Sequence, residues 1–132
     1  MQSPKKEVII PKGGSKPLAP YSPGIRAGNL VFTSGQIALD PATGKLVEGG
    51  IEAEARQALN NLKAVLEAAG SNLDKVVKVT VFLNDINDYG AVNEVYGTFF
   101  TKDPPARSAF QVANLPAGAL IEIEAVALVK ES

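Results

Sequence analysis

Apolar positions along the chain recur with two periods. Between residues 51 and 69 they fall at Ile51, Ala55, Leu59, Leu62, Leu66 and Ala69, spaced by threes and fours, while Glu52, Arg56, Lys63 and Glu67 lie elsewhere on the wheel. This spacing predicts an amphipathic helix, with Gly70 as the residue that closes it. Residues 75–83 are instead β-branched and alternating, with Val77, Val79, Val81 and Leu83 on one face and Val76, Lys78, Thr80 and Phe82 on the other. Neither face is cleanly polar, so this strand is expected to be covered, at least in part, on both sides. A second helix, capped by Asn87 or Asp88, would bury Tyr89, Val92, Val95, Tyr96 and Phe99 until Asp103-Pro104-Pro105 ends it.

The flanking segments read as strands and turns. Residues 7–10 form a short β-prone run, and residues 11–24 are dense in Pro and Gly. Residues 25–37 predict a hairpin turning at Gly28-Asn29, with Gly35 marking a bulge or a close approach. In the last third, a strand opened by Pro104-Pro105 carries Arg107, and an apolar strand over residues 121–129 begins with Glu122 and Glu124. The loop between them, residues 114–118, is short enough to return the chain antiparallel, which would set Arg107 and Glu122 on neighbouring strands, facing each other. The order predicts an α+β fold, a mixed sheet with two helices on one face. The other sheet face still carries apolar side chains, which predicts a homo-oligomer with any cleft between subunits.

Composition narrows the chemistry. A chain of 132 residues is expected to form one domain, and 13 Lys+Arg against 14 Asp+Glu gives no net field toward nucleic acid or an anionic membrane. There is no cysteine and no histidine. Disulfides, thiolate nucleophiles, the usual structural zinc sites and Ser-His-Asp arrangements are therefore excluded. Catalysis would rest on carboxylates, Lys, Tyr, Ser/Thr or backbone. No signal-peptide core and no membrane-spanning stretch is legible, so a soluble, cytoplasmic protein is expected.

Five residues invite a functional reading beside a plain one. Arg107 is either a surface arginine or a rigid fork for a carboxylate. Glu122 and Glu124, which share a strand face, either form a half-solvated strand end or include one carboxylate that lines a partly dry pocket, where desolvation would make it a useful proton carrier. Tyr21, in the proline-rich loop, is either a ligand-contacting phenol or packing over that loop, and Asn93 is either a solvent-facing helix residue or part of a site. Gly13-Gly14-Ser15-Lys16 lacks the full phosphate-loop spacing, and Pro17 and Pro20 argue against a helix directly after it.

Several stretches together resemble one family. Residues 104–116, reading Pro-Pro-Ala-Arg-Ser-Ala-Phe-Gln-Val-Ala-Asn-Leu-Pro, followed by Ile-Glu-Ile-Glu-Ala at 121–125, are similar to the C-terminal signature of the RidA/YjgF enamine/imine deaminases. Residues 19–24, 33–37, 57–62 and 76–83 extend the resemblance over almost the whole chain. It implies a chorismate-mutase-like protomer, a homotrimer with sheets facing inward, and ligand clefts between subunits. It also implies substrates such as 2-aminoacrylate, released by pyridoxal-phosphate-dependent dehydratases and hydrolysed to 2-keto acids and ammonia without a cofactor. By the same resemblance Arg107 clamps the substrate carboxylate, Glu122 orients or deprotonates the attacking water, and Tyr21, Ser34, Gly35 and Asn93 line the cleft. Many members carry cysteine where this chain has Ala109; the resemblance implies that the backbone at that position serves the site. An endoribonuclease or translation inhibitor, and a non-catalytic module binding small carboxylates, are the alternative functions.

Overall fold

The computed structural model describes residues 5–14, 17 and 19–129. Among these, six strands form one sheet: β1 (Lys6–Ile9), β2 (Gly24–Ala27), β3 (Leu30–Thr33), β4 (Val76–Leu83), β5 (Ala106–Gln111) and β6 (Ile121–Leu128), in the order β1-β2-β3-β6-β4-β5. Helix α1 (Gly50–Ala68) joins β3 to β4, and α2 (Tyr89–Phe99) joins β4 to β5. The predicted α+β architecture is present, and so is the hairpin, with Ala27 paired to Leu30 across the Gly28-Asn29 turn. None of the described helices is long and apolar enough to cross a membrane.

The predicted helix over 51–69 forms because its apolar stripe meets the sheet. Ala55, Ala58, Leu59, Leu62, Val65 and Leu66 are buried against Val31, Val79, Val81, Leu83, Ile121 and Ile123. Truncating one of the buried leucines to alanine would cost roughly 2–5 kcal/mol. At the C-terminus Gly70 adopts φ 81°, its N–H donates to the Glu67 carbonyl, and the Ser71 N–H donates to the Leu66 carbonyl. Those two bonds close the helix in a Schellman arrangement, for which glycine is the residue of least strain. Helix α2 is entered differently from the expectation. Neither Asn87 nor Asp88 caps it through a side chain; the Asp85 carboxylate accepts from the Asn87 N–H and caps a 3-10 turn that runs directly into α2.

Two further expectations are corrected. Strands β5 and β6 are not neighbours, because β4 lies between them, parallel to β5 and antiparallel to β6. Strand β4 buries Val79, Val81 and Leu83 under both helices, so it takes an interior position, and the connection from 112 to 120 steps across it. The alternation of β4 is also broken. A register shift between Val76 and Lys78 turns Val76 into the core and leaves Val77 exposed, where unbroken alternation would bury Val77.

Both helices cover one sheet face. The other face carries Phe32, Phe82, Phe110, Val126 and Leu128 around Lys78, Thr80, Glu122 and Glu124. Phe82 and Phe110 pack edge-to-face with centroids 5.3 Å apart, yet Phe32, Phe110 and Leu128 remain about two-fifths exposed at 43%, 44% and 39%. This is the apolar, uncovered face that the sequence predicts.

Candidate functional site

Glu122 owes its surroundings to a bulge in the strand beside it. Phe32 pairs with Val126 and Gln36 with Ile123, so three residues, Thr33, Ser34 and Gly35, stand opposite two, Glu124 and Ala125. The Thr33 hydroxyl accepts from the Ala125 N–H at 3.0 Å, in place of a ladder bond. The extra residue presses the backbone of Gly35 onto Glu122; a Cβ at Gly35 would overlap its carboxyl, with Cδ only 2.7 Å away. Ser34 ties the bulge to the segment bearing Tyr21. Its hydroxyl donates to the Ser22 carbonyl at 2.6 Å and its N–H to the Pro23 carbonyl at 2.9 Å.

The result is a groove of about 950 Å³ that Tyr21, Ser34, Gly35, Pro116 and Glu122 help to line. Burial pushes the Glu122 carboxyl above the ordinary carboxylate range, and the like charge of Glu124 adds to the shift. From the helix side, Glu54 steadies the approach to β6: its buried carboxylate accepts from the Leu120 N–H at 2.9 Å. A half-buried carboxylate with raised proton affinity at the wall of a groove is suited to general base or acid chemistry.

Arg107 stands elsewhere. On β5 it is paired with Val79 and Ala109 with Val81, so both face the helices, and Ala109 packs against the core. The Arg107 guanidinium carbon lies 4.7 Å from the ring centre of Tyr96 and 5.4 Å from that of Tyr89, and Nη2 donates to the Tyr89 hydroxyl at 2.9 Å. Aromatic faces attract a cation without neutralising it. Among the described residues no carboxylate forms an ion pair with Arg107, which leaves most of its donor fork for an external anion. Burial raises the Tyr96 hydroxyl pKa, with the Arg107 charge opposing the shift.

The predicted residues therefore fall into two groups. Tyr21, Ser34, Gly35 and Glu122 come together; Arg107 and Ala109 lie on the other side of β4 and on the opposite sheet face, so Arg107 and Glu122 do not face each other within the chain. Asn93 sits on α2 between Tyr89 and Tyr96 at helical spacing, and its Oδ1 is buried with no hydrogen-bond partner among the described residues. The two tyrosines around Arg107 were legible only as members of the apolar stripe of α2. Their spacing of seven puts both phenols on one face of α2, which a buried stripe produces equally well.

The family model described as Endoribonuclease L-PSP matches residues 13–129. The chain belongs to this family, the RidA/YjgF proteins. A RutC family protein of Pyrococcus horikoshii is 52% identical over 122 residues, covering 92% of this chain and 97% of the relative. The human 2-iminobutanoate/2-iminopropanoate deaminase is 47% identical over 128 residues, covering 97% of this chain and 93% of the relative. Among solved structures, TdcF of E. coli with bound serine superposes with a TM-score of 0.89 at 40% identity, covering 95% of this chain and all 100% of that one. The RidA/YjgF fold is thus the mixed sheet with two helices described above.

Proposed function

We propose that this RidA/YjgF chain is an enamine/imine deaminase, converting 2-imino acids of the 2-aminoacrylate type to 2-keto acids and ammonia, in clefts between the subunits of a homotrimer. The observation that carries the reading is Arg107, a cation caged by two tyrosine rings and left without an acidic partner among the described residues. Such a group suits a small carboxylate ligand. Mammalian relatives named as deaminases support the reaction, and the serine held by TdcF supports a ligand of amino-acid size.

In the proposed reaction Arg107 holds the substrate carboxylate and so fixes the imine carbon beside Glu122. An enamine enters by protonation at its β-carbon with loss of one nitrogen proton, which gives the imine tautomer. Glu122 takes a proton from water as the water oxygen bonds to the imine carbon and passes that proton to the nitrogen, which gives the carbinolamine. Glu122 then takes the carbinolamine hydroxyl proton and delivers it to the amine nitrogen; the carbon–nitrogen bond breaks with its electron pair on nitrogen, the carbonyl forms, and the keto acid and ammonia leave. The raised proton affinity of Glu122 fits a group that must both accept and return a proton. No cofactor enters this scheme. Tyr21, Ser34 and Gly35 would wall the cleft on the Glu122 side, with Asn93 and the Ala109 backbone on the Arg107 side. Pyridoxal-phosphate-dependent dehydratases acting on serine or threonine would supply the substrate.

The test is keto-acid formation from a serine or threonine dehydratase with and without this protein, with Arg107→Ala as control. Acceleration that Arg107→Ala abolishes is the expected result. Equal acceleration by the substituted protein would sink the assignment of Arg107. Binding of 2-keto acids without turnover would instead support a carboxylate-binding module. RNA cleavage is disfavoured by the balanced charge and the absence of histidine; cleavage that survives purification and vanishes with Arg107→Ala would restore it.

A further inference from the structure

We infer that Tyr89 is a second carboxylate-binding group, which both positions Arg107 and donates its own hydrogen bond to the ligand; this rests on the reading of Arg107 as a carboxylate clamp. Three observations carry it. The Tyr89 hydroxyl accepts from Arg107 Nη2 at 2.9 Å, so its oxygen is engaged while its single proton is left to give. Its ring lies 5.4 Å from the guanidinium carbon, close enough to restrict the side chain as well as anchor it. And Tyr89 is 41% exposed, so its membership of the apolar stripe does not account for it as a core residue.

Tyr96 makes the contrast. Its ring is nearer, 4.7 Å from the guanidinium carbon, but the residue is buried at 6% and its hydroxyl is enclosed without a partner among the described residues. It can support Arg107 from beneath but cannot reach outward. Tyr89 can, because its hydroxyl sits one hydrogen bond from the guanidinium. A hydroxyl that accepts from a cation is polarised toward donating, since hydrogen bonds in a chain reinforce one another. Guanidinium and phenol together present donors to two acceptor oxygens. That favours a planar carboxylate over a ligand with a single carbonyl oxygen, and it gives Tyr89 a part in specificity as well as in orientation.

The test compares wild type, Tyr89→Phe and Tyr89→Leu in binding 2-ketobutyrate and its uncharged amide by calorimetry, with thermal unfolding and the dehydratase-coupled assay alongside. Tyr89→Phe keeps the ring and removes only the hydroxyl. It should weaken 2-ketobutyrate binding about tenfold, the scale of one hydrogen bond in a charged cluster. It should raise KM in proportion while kcat changes far less, and leave amide binding and the unfolding temperature unchanged. Tyr89→Leu, which also removes the ring, should weaken 2-ketobutyrate binding further. Unchanged 2-ketobutyrate affinity in Tyr89→Phe overturns the inference and leaves the deaminase reading standing. Affinity that depends on Tyr89 in a protein without turnover overturns the deaminase reading alone. Wild type that binds no 2-ketobutyrate at millimolar concentration overturns both.

Discussion

Arg107 and Glu122 lie on strands separated by β4 and project from opposite faces of one sheet. One chain cannot bring the two side chains to the same small substrate. If both serve one reaction, Arg107 of one subunit must meet Glu122 of another across a heterologous interface. Arg107→Ala and Glu122→Gln, each inactive alone, should then complement when co-refolded. With random mixing and one residue drawn from each of two subunits, about a quarter of the sites would carry both intact groups. Activity near that fraction in the dehydratase-coupled assay is expected, and none at all would overturn a site that takes Arg107 from one subunit and Glu122 from another.

The same requirement makes activity depend on assembly. The sheet face opposite the helices exposes Phe32, Phe110 and Leu128, side chains suited to burial between subunits. Phe110→Asp puts a charge at that face beside Phe82 while leaving the helix-side core untouched. Sedimentation should show an oligomer for wild type and a smaller, folded species for Phe110→Asp, with at least 100-fold loss of turnover, the scale of one missing acid/base group. Full activity in a monomeric Phe110→Asp would overturn the shared-site arrangement.

Much of this architecture was legible because periodicity reports burial. The stripe through Leu59, Leu62 and Leu66 places α1, and the alternation of Ile121, Ile123 and Ala125 gives β6 its buried face. What periodicity does not carry is strand order. A short loop before β6 reads as a hairpin, whereas the burial demanded by β4 inserts that strand between β5 and β6. The site divides along the same line. Glu122 and Gly35 were both visible, and the contact between them follows from the bulge that Gly35 itself signals. The cage around Arg107 was not, because Tyr89 and Tyr96 satisfy a helical stripe whether or not a cation stacks on them. Family resemblance, rather than spacing, singled out Arg107.

Gly35 offers a way to disturb the site without disturbing the fold. Its backbone is not left-handed, so alanine is tolerated by conformation, but the added Cβ would meet Glu122 Cδ at 2.7 Å and Cγ at 2.9 Å. The end of a glutamate side chain can swing away, so the cost to stability should stay within about 1 kcal/mol. Turnover should fall roughly 100-fold as the carboxylate leaves its place. Urea unfolding and steady-state kinetics on Gly35→Ala separate the two effects. A large loss of stability with normal kcat per folded molecule would mean that Gly35 shapes the strand and not Glu122.

The raised proton affinity of Glu122 should give turnover and stability opposite responses to pH. Burial is the larger cause and the charge of Glu124 the smaller. If the ionised carboxyl is the base, the acid limb of kcat/KM should lie above the range of an ordinary carboxylate, and Glu124→Gln should move it to lower pH. For stability, a carboxyl whose folded pKa exceeds its unfolded one binds more protons folded than unfolded in the interval between the two values. Its favourable contribution is complete below the unfolded pKa and is lost as pH rises through the folded pKa. Above its folded pKa wild type carries the charge into a partly dry groove, and Glu122→Gln, which is neutral at every pH, does not. The unfolding temperature of Glu122→Gln relative to wild type should therefore be higher above the folded pKa of Glu122 than in acid below its unfolded pKa, while its turnover is lost. A difference that does not change with pH would mean that the Glu122 carboxyl is as well solvated folded as unfolded, and the acid limb would then have to come from another group.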